Sequence, residues 1–596
     1  MASVEPKGYP ATQESPHDSE KGVHVASPGH GDVPANFRES DFMTRNGLNA
    51  KSFQRRDWGT GTEELDRSMK SRHLNMIAIG GSIGAGFFVG SGSALTRGGP
   101  ASLLLCFLIT GVMIFNVVYA LGELAVMYPI SGGFYTYSVR FIDPSWGFAM
   151  GWNYVFQWVI VLPLELTVCS FTVQYWNRDI SVAVWITIFW VFIIFINIFG
   201  TLGYAEEEFF SSAFKLVMTV IFMVVAIVLI CGGGPSSGIY DEYWGARLWY
   251  DPGAFQNGFR GFCSVFVTAA FAFAGTELVG VSVTRVTRSL ERTKRLTDAQ
   301  LAAAESENPS KNLPGAIKQV FWRITLFYIL GLTFVGLLVS STDERLLNAS
   351  NPYADGTSPF VLAPLDAGLI GYDSVMNVVI LVSVVSIGVS CVYGGSRTLT
   401  SLAQQGYAPK LFTYIDRSGR PLPSVTLCLA FGALAYIVLA SEGSIVFDWL
   451  LALSGLATLF TWGSICVAHI RFRAAWAAAG RTLDEIPFQA IGGVYGSWLG
   501  LFLIFIALAA QFFVAIAPPF TTDLASAEDF FKAYLALPVV LFFWAVGYLW
   551  KRQGFLRLDQ IDLDTGRREH DWDTINAHRA KVATWPWWRK AFSMIF

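Results

Sequence analysis

The stretch "IGGSIGAGFFVGSG", residues 79–92, carries six glycines in fourteen positions of a segment whose flanks read as a membrane-spanning helix. A glycine inside a helix costs about 1 kcal/mol relative to alanine, so this density needs a reason. A dinucleotide fingerprint is excluded, because Gly84-Ala85-Gly86 continues as Phe87-Phe88-Val89-Gly90 and lacks the GxGxxG spacing, and no GK[ST] follows for a phosphate loop. A small-residue packing face accounts for Gly90 and Gly92, a turn beyond the cluster. The dense part, Gly80 to Gly86, is inefficient for packing and suits an unwound backbone, which a bilayer tolerates only where it is buried or lines a polar cavity.

The composition supplies the setting. Of 596 residues, 53% are hydrophobic and 15% charged, and the mean hydropathy is +0.44, which makes the chain an integral membrane protein. Hydropathy places about twelve spans, at 74–95, 100–126, 149–172, 181–200, 209–231, 257–280, 319–340, 374–402, 422–440, 444–469, 498–517 and 532–550. An even number puts both tails on one side. Lys70, Arg72, Arg140, Lys311, Lys318, Arg397, Lys410, Arg417, Arg420, Arg471, Arg473, Arg481, Lys551 and Arg552 gather there, whereas the opposite loops hold scattered cations such as Arg97, Arg178, Arg247 and Arg345. Both termini are therefore expected in the cytoplasm. Asn348-Ala349-Ser350, a candidate glycan acceptor, falls in an outer loop under this topology.

Residues 1–72 are polar, show no signal peptide and read as a disordered cytoplasmic tail; 73–551 form the transmembrane domain and 552–596 a second cytoplasmic tail. That tail carries "TWPWWRKAF", residues 584–592, which suits docking on the bilayer as well as simple exposure. The formal net charge of −3 says little about partners, and no nucleic-acid partner is expected. Seven cysteines lie in or beside apolar segments without metal-ligand spacing and read as small buried hydrophobes, so no metal and no cofactor are expected.

A second weak point interrupts the sixth span in "FVTAAFAFAGTELVG", residues 266–280, where Gly275 and Glu277 break an apolar run. Two broken helices about five spans apart are the signature of transporters built from an inverted repeat. Their half-helix N-termini offer N–H groups to an anion while unwound carbonyls accept from a cation. A ligand with both charges on adjacent atoms fits such a site, and an α-amino acid is one. Four ionisable residues inside spans are functional candidates. Lys215 needs a carbonyl or acidic partner and could stand where a sodium ion would, coupling by loss and regain of a proton. Glu277, beside the break, is the acidic candidate for proton coupling. Glu123 and Glu165 either tie helices together or take part directly.

The segments "HLNMIAIGGSIGAGFFVGSGSAL", "GELAVMYPISGGFYTY", "GWNYVFQWVIVLPLELT", "SVFVTAAFAFAGTELVG", "PGAIKQVFWRITLFYILGL", "FDWLLALSGLATLFTWGSICVAHIRFR" and "DLDTGRREHD" together resemble the fungal amino acid permeases of the amino acid, polyamine and organocation superfamily, and within them the general amino acid permeases. The resemblance runs from about residue 57 to the C-terminus. It implies an all-α, twelve-helix LeuT-like fold with a five-plus-five inverted repeat and discontinuous helices 1 and 6. It implies proton-coupled uptake of L-amino acids at the plasma membrane, and a site between spans 1 and 6 with contributions from 3, 8 and 10. Carried over by position, Ser82, Ile83, Gly84, Ala85 and Gly86 hold the substrate carboxylate. Carbonyls around Ile79, Phe271 and Ala272 accept from its ammonium, Phe273 closes over it beside Gly275, and Lys215 takes the place of a sodium site. The resemblance also makes Lys7, Lys21 and Lys51 candidates for ubiquitin ligase machinery acting on the tails. Two departures bear on substrate range: Ala85 stands where many relatives have Thr, and Val389 where an Asn is common.

A larger departure is the block "VSVTRVTRSLERTKRLTDAQ", residues 281–300, which inserts five cations and two acids about one turn after the second break. Without it the chain runs from "AGTELVG" directly to "LAAAESENPSKNLPGAIKQV". Twenty residues correspond to 60 nucleotides, a phase-preserving length, and Val-Ser, Leu-Thr or Thr-Asp, and Ala-Gln can encode donor, branch and acceptor signals. The block reads as a translated, unspliced intron, with a basic regulatory loop as the alternative. The functional expectation is a symporter of broad range. A narrower permease and an amino acid sensor are the alternatives, and an enzyme is disfavoured because no nucleophile, base and orienter assemble.

Overall fold

The computed structural model describes residues 48–55, 73, 76–77, 80–81, 83–128, 134–277, 317–320, 322–347, 358–439, 443–521, 523–567 and 572–589. The 281–300 block, Asn348 to Ser350, Lys7, Lys21, Ile79 and Ser82 lie outside these. Among the described residues the fold is all-helical, with no strand beyond one isolated bridge between Arg55 and Asp416.

Among the described residues, every predicted span overlaps a helical segment. Seven helices among these residues are long and apolar enough to cross a bilayer. The first, α1 (Ala85–Met127, 43 residues), takes in the second half of the first predicted span and all of the second, as two helices that meet at a kink. Gly99 at φ 81° makes the bend ahead of Pro100. Its freed backbone groups are met by the 254–256 segment, with Ala101 N–H donating to the Ala254 carbonyl (2.9 Å) and Gln256 N–H to the Gly98 carbonyl (2.9 Å). After the short α2 (Phe134–Phe141) come α3 (Pro144–Val173), α4 (Val182–Ile198), α5 (Gly200–Ile230), α6 (Gly258–Phe273), α7 (Leu326–Leu338), α8 (Tyr372–Gln404), α9 (Leu422–Leu439), α10 (Gly443–Ala478) and α11 (Gly493–Ile516). The last, α12, is a pair, Ala527–Tyr534 and Ala536–Lys551, bent by 67°. Helices α4, α6 and α7 are apolar but shorter than a full span.

Local signals fix the ends. Asp143 caps α3 by accepting from Ser145 N–H (2.8 Å), with Pro144 preset for the first turn. Its thirty residues make a rod of about 45 Å, longer than the hydrocarbon layer of about 30 Å. The most apolar stretch of α3 is 94% buried, against 33% for α5 and for α11, so α3 is the central post and the others face lipid. Helix α3 packs on α8 and α12, and α1 packs on α6. The lipid-facing sides carry exposed apolar residues such as Val191 and Phe195 on α4 and Val217 and Val224 on α5. Six of the cysteines are buried as expected, Cys231 is exposed, and all seven are free thiols.

Candidate functional site

Both glycine-bearing segments depart from helix where the sequence places the breaks. Gly81 N–H closes a last turn on the Ile77 carbonyl (3.0 Å) and Ile83 N–H bonds the Gly80 carbonyl (3.0 Å). Gly84 is extended, and α1 starts at Ala85 with no side chain capping its N-terminus. The leading N–H groups of a helix have no intrahelical partner, so this end carries donors and a partial positive charge. On the other side α6 stops at Phe273, Ala274 to Glu277 form a turn, and Gly275 sits at φ 88°, a conformation that favours glycine.

The two breaks touch. A Cβ on Gly86 would lie 2.6 Å from Ala272 Cα, 2.9 Å from Ala272 N and 2.9 Å from a Phe271 ring carbon. Glycine here lets two backbones meet. Phe273 is fully buried and stacks on Tyr328 with ring centroids 4.1 Å apart. The Tyr328 hydroxyl donates to the Ala272 carbonyl (2.7 Å), and Ala274 N–H to the Phe271 carbonyl (3.0 Å). Each carbonyl accepts one such bond, and a carbonyl oxygen has two lone pairs.

Lys215 is fully buried on α5, and its Nζ donates to Glu208 Oε1 (3.3 Å) and to Ser386 Oγ (3.2 Å) on α8. Glu208, also fully buried, accepts in addition from Ser212 (2.6 Å), Ser386 (2.7 Å) and Ser390 (3.2 Å). Positions 208, 212 and 215 share one face of α5 at spacings of four and three. A Cβ on Gly80 would collide with Ser212, so this charged cluster borders the break of the first span.

Glu277 is held on both oxygens. Oε1 accepts from the Tyr154 hydroxyl (3.3 Å) on α3 and Gly275 N–H (3.3 Å), and Oε2 from Trp462 Nε1 (3.2 Å) on α10. Glu123 joins α1 to α10 and the segment beyond it. It pairs with Arg473 Nε (2.6 Å) and His469 Nε2 (3.1 Å) and accepts from Ala490 N–H (2.7 Å). Glu165 is buried on α3 in the field of Lys215, and among the described residues its Oε2 has no hydrogen-bond partner. Ala85 and Val389 are both buried, and Val389 adjoins Ser390 of the Glu208 cluster.

The chain matches the amino acid permease family over residues 73–295 and 299–560. It belongs to that family. The interruption at 296–298 falls inside the 281–300 block. The permease is 66% identical over 561 residues to amino-acid permease inda1 of Hypocrea atroviridis, covering 94% of each chain. It is 50% identical to general amino-acid permease GAP2 of Candida albicans (90% of this chain, 87% of the relative) and 48% identical to general amino-acid permease GAP1 of Saccharomyces cerevisiae (90% and 86%). Among solved structures it aligns with a nucleobase-cation-symport-1 family transporter in a closed conformation (TM-score 0.39, 13% identity, 82% of this chain and 99% of that one). It also aligns with a manganese transporter of Eremococcus coleocola (TM-score 0.47, 11% identity, 80% and 93%).

Sequence reasoning missed Glu208, which in the permease is the partner of Lys215. It hides in "YAEEEFF", residues 204–210, where three successive acids look like an aqueous turn. The signal available was its spacing of seven before Lys215, two helical turns on one face. His469 and Arg473, four apart on α10, were likewise readable as a pair but not as the partners of Glu123.

Proposed function

We propose that the permease imports a broad range of L-amino acids with protons across the plasma membrane by alternating access, with both termini in the cytoplasm. The carrying observation is that the break of α6 and the uncapped start of α1 meet backbone to backbone at Gly86 and Ala272, beside the buried Lys215–Glu208 cluster.

The N–H groups of Gly84, Ala85 and Gly86 suit the substrate carboxylate, the end of α1 carrying the favourable dipole. The carbonyls of Phe271 and Ala272 suit its ammonium, and Phe273 covers the ligand from the Tyr328 side. Backbone recognition engages only the α-amino and α-carboxyl groups, so it accepts many side chains. The word "general" in the names of the Candida and Saccharomyces relatives agrees with that breadth.

Coupling follows from Lys215. A buried ammonium holds the charge a sodium ion would supply, and Glu208 stabilises it. A proton arriving with substrate recharges Lys215, and its release on the inner side resets the site. Glu277, which ties the α6 break to α3 and α10, transmits closure of the break and is the second candidate for carrying a proton. The paired breaks five spans apart support the five-plus-five inverted repeat.

Uptake of labelled amino acids by transporter-deficient cells, with the proton gradient intact or collapsed, tests this reading. Uptake indifferent to the gradient rules out symport, and binding without uptake favours a sensor. The 281–300 block is proposed to be a retained intron, leaving 576 residues when removed. Sequencing the mature transcript tests this, and a main message retaining those 60 nucleotides overturns it.

A further inference from the structure

A groove of about 1070 Å³, lined by none of the described residues of the paired breaks, lies between the ends of α3, α8 and α12 on the side of the bundle where α12 runs into the C-terminal tail. Its floor is aromatic. Trp152 stacks on Phe543 (6.2 Å between centroids, 22° between planes) and Phe148 meets Trp550 edge-on (5.8 Å). The Trp152 indole N–H donates to the Tyr407 carbonyl (3.1 Å), which fixes the ring that divides the apolar wall from the rim. The wall opens outward along α12, where Phe542 is 63% exposed and Trp550 55%.

The rim is cationic. Arg55 and Lys410 line the groove. Lys551 Nζ sits 4.8 Å from the ring of Tyr407, another lining residue. None of the described residues lining it is acidic. Two described acids nearby have partners of their own: Asp143 accepts from Ser145 N–H (2.8 Å) and Asp416 pairs with Arg420 (2.7 Å). Lysines and arginines at the level where a span ends, above an aromatic wall open to hydrocarbon, form a two-part site for an amphiphile with an anionic head.

We propose that this groove binds one anionic phospholipid, its phosphate-bearing headgroup held by Lys410 and Lys551 and an acyl chain lying against Phe542, Phe543 and Trp550. The lipid belongs to the leaflet on the side of the tails, which is the cytoplasmic one under the orientation proposed above. A lipid here wedges α12 against α3 and α8, the central post and the helix that carries Ser386 and Ser390. It also touches the Asn49–Arg55 segment, anchored beside the groove by Tyr414 OH donating to the Phe53 carbonyl (2.7 Å) and Arg417 N–H to the Gln54 carbonyl (3.0 Å). This site takes no part in holding the amino acid.

The test uses the full-length purified permease in phosphatidylcholine vesicles doped with a photoactivatable phosphatidylserine or, separately, a matched phosphatidylcholine analogue. Adducts are mapped by mass spectrometry. The serine lipid is expected to label peptides containing Trp152, Phe543 or Trp550 in preference to the choline lipid. The double variant Lys410→Gln/Lys551→Gln is expected to lose that labelling by roughly 30-fold, two surface charges' worth of attraction. Lys410→Gln alone, in an exposed connection, is expected to lose about fivefold, so a folding defect in the double variant does not remove the test. Arg557→Gln, outside the groove, is expected to label like the parent. Equal labelling by both lipids, or undiminished labelling in both lysine variants, overturns the proposal. Labelling that appears only after residues 1–47 are deleted overturns it too, since a chain segment would then be the occupant.

Discussion

Gly86→Ala is the sharpest perturbation of the paired breaks. The added methyl would stand 2.6 Å from Ala272 Cα, about 0.8 Å short of the 3.4 Å at which ordinary contact begins, and 2.9 Å from Ala272 N. Both opposing atoms are backbone, so no side chain can swing away. The start of α1 and the end of α6 must separate by most of that shortfall. Overpacking of this kind costs about 1–3 kcal/mol, a factor of roughly 5–150 in the population of the closed arrangement. Gly90→Ala, one turn further along α1, is the internal control. Its methyl would meet the Thr268 Cγ2 methyl at 3.0 Å, which a small shift relieves, and the Ala85 carbonyl oxygen at an ordinary 3.8 Å. The assay is initial-rate uptake of a labelled amino acid normalised to surface protein, together with thermal stability of the purified chain. Gly86→Ala should lose at least several-fold in uptake per surface molecule, and Gly90→Ala should stay near the parent. Parental uptake in Gly86→Ala, or an equal loss in both, would refute the close approach as the working contact.

Other outcomes follow from the same geometry. Lys215→Met should abolish gradient-driven accumulation and, by leaving Glu208 buried without its cation, destabilise the fold by about 3–5 kcal/mol; adding Glu208→Gln should restore the melting temperature but not accumulation. Tyr328→Phe removes the hydrogen bond to the Ala272 carbonyl and should cost about 0.5–1.5 kcal/mol in thermal or denaturant unfolding while keeping the stack on Phe273. In the C-terminal tail, partial burial raises the Asp562 carboxyl. Hydrogen bonds from the Thr565 side chain and from the backbone N–H groups of Thr565 and Asp564, with Arg140 nearby, outweigh it and pull the pKa down to about 2. A depressed carboxyl contributes fully above its unfolded value of about 3.9 and loses that contribution as pH falls through about 2. Limited proteolysis of the tail should therefore accelerate between about pH 4 and pH 2, and Asp562→Asn should remove that dependence.

How much was legible divides along a physical line. Apolar length is a local property, so every predicted span overlaps a helix among the described residues. The glycine cluster and Gly275 mark where a helix cannot pay for itself, so the two breaks could be placed from composition. The direct join at Gly99 was not legible, because its support comes from the distant 254–256 backbone. Nor was the seat of Lys215: that a buried ammonium needs a partner is chemistry, but choosing Glu208 among three adjacent acids requires knowing which face of α5 meets Ser386 and Ser390 on α8.

The sequence alone therefore determined a helical membrane protein of the amino acid permease family, with two interrupted spans. Tertiary structure decided that those interruptions meet at Gly86 and Ala272, that Glu208 holds Lys215, that Arg473 and His469 hold Glu123, and that an aromatic groove with a basic rim forms between α3, α8 and α12. Hydrophobic length and glycine act within one segment and can be read along it. Charge pairing and close approach exist only between segments, and their partners are set by which helix faces pack together.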